Sequence, residues 1–312
     1  MKIYLVSEGI AETWTKHACE NLGIEYIHKK FAAANTMTEK DLKDVNECYF
    51  QLIYGGEFYI QPSIFNGIEI PKIFYMLDTC ERHPDLIKWI YPQLDYMFYA
   101  QKDNLFYSNK SSWLAMGVDL KLYDNGNFEL TEEEKNHYQT DVLFIGTYNH
   151  PKREPFAKEL YKYNSKIVGN NWEGVGLKNF AASALYGTEL GKRIRASKIC
   201  LQLHYSHHDK IEEEHGIASK VFEMMAMGGA VLCDRVQGFN DCFKENFDIL
   251  GYSSMNELHA KIEHYLNYPE ELEEIKKNAA QSAQKKHTNE QRFLQMINTL
   301  RSKRILGKNV VL

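Results

Sequence analysis

Apolar residues recur in two rhythms, short continuous runs and longer stretches with a spacing near 3.6, and the two alternate from the start of the chain. Lys2 to Val6 is a β-rich run, Glu12 to Leu22 is an amphipathic helix stopped by Gly23, and Ile24 to His28 is a second strand. Tyr49 to Ile53, Lys72 to Leu77 and Tyr96 to Ala100 continue the strands, with helices expected at Met37 to Val45 and Pro84 to Tyr91. Such alternation predicts a parallel sheet covered by helices on both faces. The rhythm breaks over Gly126 to Gln139, where Asn-Gly-Asn and a Glu-Glu-Glu run replace any apolar period. It restarts with a strand at Val142 to Gly146, a helix at Arg153 to Tyr163, a strand at Ser165 to Gly169, a helix at Gly187 to Ser197 and a strand at Ile199 to His204. Helices are expected at Met255 to Tyr268, Glu270 to Lys286 and Glu290 to Lys303. The expected organisation is therefore an α/β domain over residues 1–125, a linker at 126–140, a second α/β domain at 141–290 and a closing helix and tail at 291–312.

The segment from Ser219 to Asp234 places one carboxylate, Glu223, in an otherwise apolar helix and then runs through Gly228-Gly229 into the buried strand Ala-Val-Leu-Cys. Val221, Met224, Met225 and Ala226 would face a core, and the glycine pair would end the helix at a left-handed cap. A carboxylate at the ligand-facing end of an α/β domain can accept both hydroxyls of a ribose. The alternative is a glutamate on a half-exposed helix face. Ligands of open α/β sheets collect beyond the carboxyl ends of the strands, which directs attention to Ser7-Glu8-Gly9, Asp78-Thr79-Cys80, Thr147 to Arg153 and His204 to Gly216.

Composition narrows the classes. In 312 residues, 44% are apolar and 25% charged, which fits two domains of ordinary size with a packed core. No apolar run is long enough to span a bilayer, and the start reads as a first strand and not as a signal peptide, so the cytoplasm is the expected compartment. The six cysteines form no Cys-x-x-Cys pair, which points away from a zinc site or a disulfide framework. A formal charge of −5 argues against a broad nucleic-acid surface, although a local basic cleft is compatible with it. His204, His207, His208 and Asp209 suggest a metal, but adjacent histidines in a polar loop diverge, and no metal site is expected.

The Ser219-to-Asp234 segment resembles the helix of GT-B glycosyltransferases of the glycogen-phosphorylase-like and family 4 type. More narrowly, the order of motifs resembles the CgeB-like (spore-maturation-protein-like) glycosyltransferases. Ile70 to Asp78 is similar to their amino-domain strand ending in an acid, Trp113 to Asp119 to the segment closing that domain, Asp141 to Tyr148 with Lys152-Arg153 to the first strand and phosphate-side loop of the carboxyl domain, and His287-Thr288 with Arg292 to the terminal helix. The resemblance implies a GT-B architecture, two Rossmann-like domains facing across a cleft, whose closing helix crosses back to the first domain. It implies transfer of a sugar from a nucleotide-diphosphate donor, with UDP the first expectation for the nucleotide, retention of configuration, and no cofactor or metal. Glu223 would grip the ribose, while Lys220, one turn before it, and Arg153 would meet the diphosphate. Gly146 and Tyr148 on the phosphate-side loop, Ser219 at the helix start and His204 at the strand end complete the expected donor contacts. Asp78 is the expected amino-domain group that orients or deprotonates the acceptor.

Family 4 enzymes carry an acid eight residues before the ribose glutamate; here that place is His215, an imidazole in place of a carboxylate, and His215 is the second expected catalytic residue. The acceptor stays open among glycan, protein and modified DNA base, as does the oligomeric state. A nucleotide-sugar-binding protein without turnover and a sugar-nucleotide epimerase are the alternatives.

Overall fold

In the first strand, Ile3 and Leu5 enter one hydrophobic cluster while Tyr4 and Val6 enter another, the period-two alternation of a strand buried on both faces. A computed structural model describes residues 1–102, 109–148, 153–173, 181–204 and 216–307. Their elements run β1 (Lys2–Val6), α1 (Ile10–Asn21), β2 (Glu25–Lys29), α2 (Phe31–Ala34), α3 (Glu39–Asn46), β3 (Gln51–Tyr54), β4 (Lys72–Met76), α4 (Pro84–Ile90), β5 (Tyr96–Tyr99) and β6 (Ser111–Trp113). They continue with α5 (Glu132–Tyr138), β7 (Thr140–Ile145), α6 (Arg153–Glu159), β8 (Ser165–Val168), β9 (Ala181–Ala182), α7 (Gly187–Ala196), β10 (Ser197–Gln202) and α8 (Ser219–Ala226). The last are β11 (Ala230–Asp234), α9 (Phe239–Cys242), β12 (Leu250–Tyr252), α10 (Met255–Asn267), α11 (Pro269–Lys286) and α12 (Asn289–Ser302).

The chain forms two compact units, one of Met1–Met116 with Asn289–Leu312 and one of Gly117–Thr288. The first holds a parallel sheet in the order β2-β1-β3-β4-β5-β6. One face packs on Ala11, Ala18 and Cys19 of α1 and on Phe293, Met296, Ile297 and Leu300 of α12. The other packs on Val45, Ile64, Leu86, Ile87 and Ile90. Phe293 lies stacked 6.3 Å from Tyr54, so the last helix completes the core of the first unit.

The second unit holds a parallel sheet in the order β12-β11-β10-β7-β8-β9. The chain walks outward through β7, β8 and β9, then crosses back to β10 and walks the other way, so the order reverses between β7 and β10. That reversal opens a crevice at the carboxyl ends of those two strands. Val142, Phe144, Ile199, Leu201, Leu232 and Leu250 fill the sheet face under Phe156, Leu160, Leu258 and Ile262.

The segment expected as a linker carries structure of its own within the second unit. Thr131 and Glu134 form a capping box at the start of α5, Lys192 of α7 reaches Glu134 at 2.6 Å, and the Arg193 guanidinium lies over the Tyr138 ring. The acidic run is thus docked on α7 through an ion pair and a cation–π contact, which an apolar-period reading does not detect. Among the described residues no helix is long and apolar enough to cross a membrane.

Phe293 is fully buried between α12 and the first sheet. Phe293→Ala should cost about 3–5 kcal/mol of stability, whereas Asn298→Ala on the exposed face should stay within about 0.5 kcal/mol. Urea titration followed by circular dichroism measures both.

Candidate functional site

The carboxyl ends of β7 and β8 meet at close range because two glycines face each other there. A Cβ on Gly169 would lie 2.1 Å from the Gly146 carbonyl oxygen, and one on Gly146 would lie 3.0 Å from the Phe144 ring and 3.3 Å from the Arg153 guanidinium. The Gly146 N–H donates to Val168 at 2.9 Å, and its carbonyl accepts from the Trp172 indole at 2.8 Å. Tyr148, half-buried on the same loop, donates its N–H to Asn170 and sets its ring 5.3 Å from Trp172.

Arg153 opens α6 and turns toward the strand ends. Its guanidinium donates to the Thr147 carbonyl just after β7 and, at 3.5 Å, to the Leu203 carbonyl just after β10. It therefore sits across the point where the strand order reverses, with Phe144 beneath it. Five fixed donors in a plane suit this bridging and leave a cation at the crevice.

His204 occupies the neighbouring strand end. Its Nδ1 bonds the Asp234 carboxylate at 2.6 Å, its backbone N–H donates to the other oxygen of that carboxylate at 2.9 Å, and its Nε2 accepts the Ala218 N–H at 3.0 Å. An Nε2 that accepts an N–H carries no proton, so the proton stands on Nδ1 and faces the acid. Expected as a donor contact, His204 instead commits both ring nitrogens inside the unit, linking the ends of β10 and β11 to the residue that caps α8. Cys233, His204 and Asp234 present ligand atoms within 4.8 Å of one another. The same atoms are bonded to one another in this relay, and burial followed by the Asp234 charge pushes the Cys233 thiol well up.

The relay fixes the start of α8, with Ser219 half-buried in its first turn. Val221, Phe222, Met224, Met225 and Ala226 are buried around Glu223, which is itself only 7% exposed. Its Oε2 accepts from Lys220 Nζ at 2.6 Å and from the hydroxyl of Tyr123. Gly228, at φ 82°, closes the helix, and the Gly228 and Gly229 N–H groups return to Met225 and Met224, the cap expected from the sequence. Tyr123, a hundred residues away, carries no sequence signal that pairs it with Glu223.

Asp78 belongs to the first unit, just after β4. Its Oδ1 accepts the Thr79 N–H at 2.8 Å and Arg82 at 3.3 Å, while its Oδ2 meets His83 Nε2 at 3.1 Å. Glu57 accepts the N–H groups of Leu77 and Asp78 at 2.6 and 3.1 Å, and Phe58 stands edge-on to His83. The signal in the sequence that marks Glu57 is the Gly55-Gly56-Glu57 turn after a buried strand. His215 lies outside the described residues, as do Lys152, His207, His208 and Asp209.

A family model described as "Glycosyl transferase-like" matches residues 153–298, somewhat less than half of the chain. No curated protein matches the chain by sequence. Among solved structures, HepE of Anabaena in complex with UDP and glucose superposes with a TM-score of 0.67 at 12% identity, over 97% of this chain and 100% of that one. Sucrose-phosphate synthase from Thermosynechococcus elongatus gives 0.68 at 12% over 97% and 98%, and a glycosyltransferase from Rickettsia africae gives 0.68 at 12% over 99% of each chain. The chain has the GT-B fold.

Within the GT-B frame, the sequence match starts at Arg153 and spans Lys220, Glu223 and most of α12, but leaves out Gly146, Tyr148 and the whole first sheet. Replacing His204 tests the relay that seats α8. His204→Ala removes the ring bonds to Asp234 Oδ1 and to the Ala218 N–H while keeping the backbone bond to Asp234 Oδ2, and should lower stability by about 1–3 kcal/mol. The measurement is denaturant unfolding, with Ser219→Ala, which leaves those groups paired, as the near-neutral reference.

Proposed function

We propose that the chain is a glycosyltransferase that moves a sugar from a nucleotide-diphosphate donor, UDP-linked in the first instance, to an acceptor hydroxyl or amine. The observation that carries this reading is Glu223, a carboxylate buried on α8 beside Lys220, on the helix that follows one of the two strands bordering the crevice. Among the described residues only Lys220 and Tyr123 donate to it, both to one oxygen, so the other oxygen can accept ribose hydroxyls. Arg153 and Lys220 supply cationic charge for the diphosphate. Support comes from the family match across these residues and from the fold shared with HepE of Anabaena, a protein captured with UDP and glucose. The motif order proposed above as CgeB-like adds the narrower assignment.

In this reading the anomeric carbon–oxygen bond to the diphosphate breaks, its electron pair stays on the leaving phosphate, and the acceptor atom forms the new bond. With retention, the leaving phosphate takes the acceptor proton, and the positive groups that hold the diphosphate provide the charge that a metal supplies elsewhere. Asp78 then orients an acceptor; its oxygens are already bonded to Thr79, Arg82 and His83, which suits positioning better than proton uptake. The six described cysteines are free, five of them buried, which suits a reducing cytoplasm where nucleotide sugars are made.

Turnover of UDP-sugars, followed as UDP release and by product analysis, tests the proposal. Glu223→Ala should weaken donor binding by about 2–3 kcal/mol, seen as a raised KM for the donor; an unchanged donor affinity would contradict the ribose assignment. Donor binding with neither transfer nor hydrolysis would return the reading of a binding protein without turnover, and an epimerised donor that of an epimerase.

A further inference from the structure

Tyr123 reaches Glu223 from a segment with unusual geometry. It lies at a kink within Leu120–Gly126, and the two residues after it, Asp124 and Asn125, stand at φ 48° and 55°, the left-handed region that costs side-chain-bearing residues strain. Two contacts with the start of α7 hold this segment in place. Thr188 donates its hydroxyl to Asp124 Oδ2 at 2.7 Å, and Gly187, at φ 57°, lets the Leu122 carbonyl approach so closely that a Cβ would lie 3.0 Å from its oxygen. The segment is thus clamped in a strained form, and what it delivers is one buried phenol, 4% exposed, onto Oε2 of Glu223.

Lys220 donates to that same oxygen at 2.6 Å. A donor diphosphate would draw Lys220 away, because a doubly charged group competes with a single carboxylate for its ammonium. A buried carboxylate left without a donor is costly. A second donor on the same oxygen removes that penalty. Burial, and then the charge of Glu223 itself, push the Tyr123 phenol up, so its proton stays available.

We infer that Tyr123 is a positioning residue for donor binding, whose hydroxyl holds Oε2 of Glu223 while Lys220 passes to the diphosphate and Oε1 is left for the ribose. This rests on the donor reading above. It adds a residue that touches neither the nucleotide nor the sugar and acts through the carboxylate alone.

Calorimetric titration with UDP of the wild-type chain, Tyr123→Phe, Glu223→Ala and the double variant tests it, with thermal unfolding midpoints recorded for all four. Tyr123→Phe keeps the ring and should weaken UDP about tenfold. In the Glu223→Ala background the same change should weaken it no further, since its target is gone. An undiminished affinity in Tyr123→Phe, or a loss that adds fully in the double variant, overturns the inference while a weakened Glu223→Ala keeps the donor reading standing. No UDP binding by the wild-type chain would instead sink the donor reading and this inference with it. Should Tyr123→Phe fail to fold, Lys220→Met serves. With Tyr123 in place, Glu223→Ala must still weaken UDP in that background, and if it does not, Lys220 alone holds the carboxylate and the inference falls.

Discussion

A carboxylate set among apolar side chains loses its hydration, and it stays charged only if donors replace the water. Glu223 meets that condition on α8, where its neighbours Val221, Phe222, Met224, Met225 and Ala226 are buried. Helical spacing supplies one donor, Lys220, three residues earlier. The other, Tyr123, comes from a segment that precedes the first strand of the unit by more than a turn of chain and is clamped to α7.

The same ligand-facing edge is fixed by short bonds between strand ends. Arg153 ties the loop after β7 to the loop after β10, His204 ties β10 to β11 and to the cap of α8, and facing glycines let β7 and β8 approach. Each link is local, yet together they hold the Arg153 guanidinium at the place where the strand order reverses and seat the start of α8, the helix that carries Glu223. Groups held this way reorganise little when a charged ligand arrives, which is how an α/β edge becomes a binding site.

Much of this was legible from residues alone. The alternation of apolar runs and helical periods gave both parallel sheets, and Gly228-Gly229 marked the end of α8 as a left-handed cap. Short strands escaped notice because two or three residues show no period: Ala181–Ala182 and Ser111–Trp113 are defined only by the strands they join, and Leu250–Tyr252 only by pairing with β11. The acidic run before Tyr138 reads as a linker because an ion pair to a distant helix leaves no trace in local spacing. The unit boundary falls at Met116, before the expected 125, and the kinked segment with Tyr123 lies on the far side of it. His204 illustrates the harder limit: a histidine after a buried strand looks the same in sequence whether it meets a ligand or, as here, an aspartate and a backbone amide.

The central claim is that the free oxygen of a buried glutamate receives the hydroxyls of a ribose. The most direct measurement changes the ligand and not the fold: affinities of UDP and 2′-deoxy-UDP for the wild-type chain and for Glu223→Ala, by calorimetry at one salt concentration. The account predicts that the wild-type chain binds 2′-deoxy-UDP more weakly than UDP and that Glu223→Ala no longer distinguishes them. A wild-type chain that binds both equally, or a Glu223→Ala variant that keeps the full preference, would contradict it.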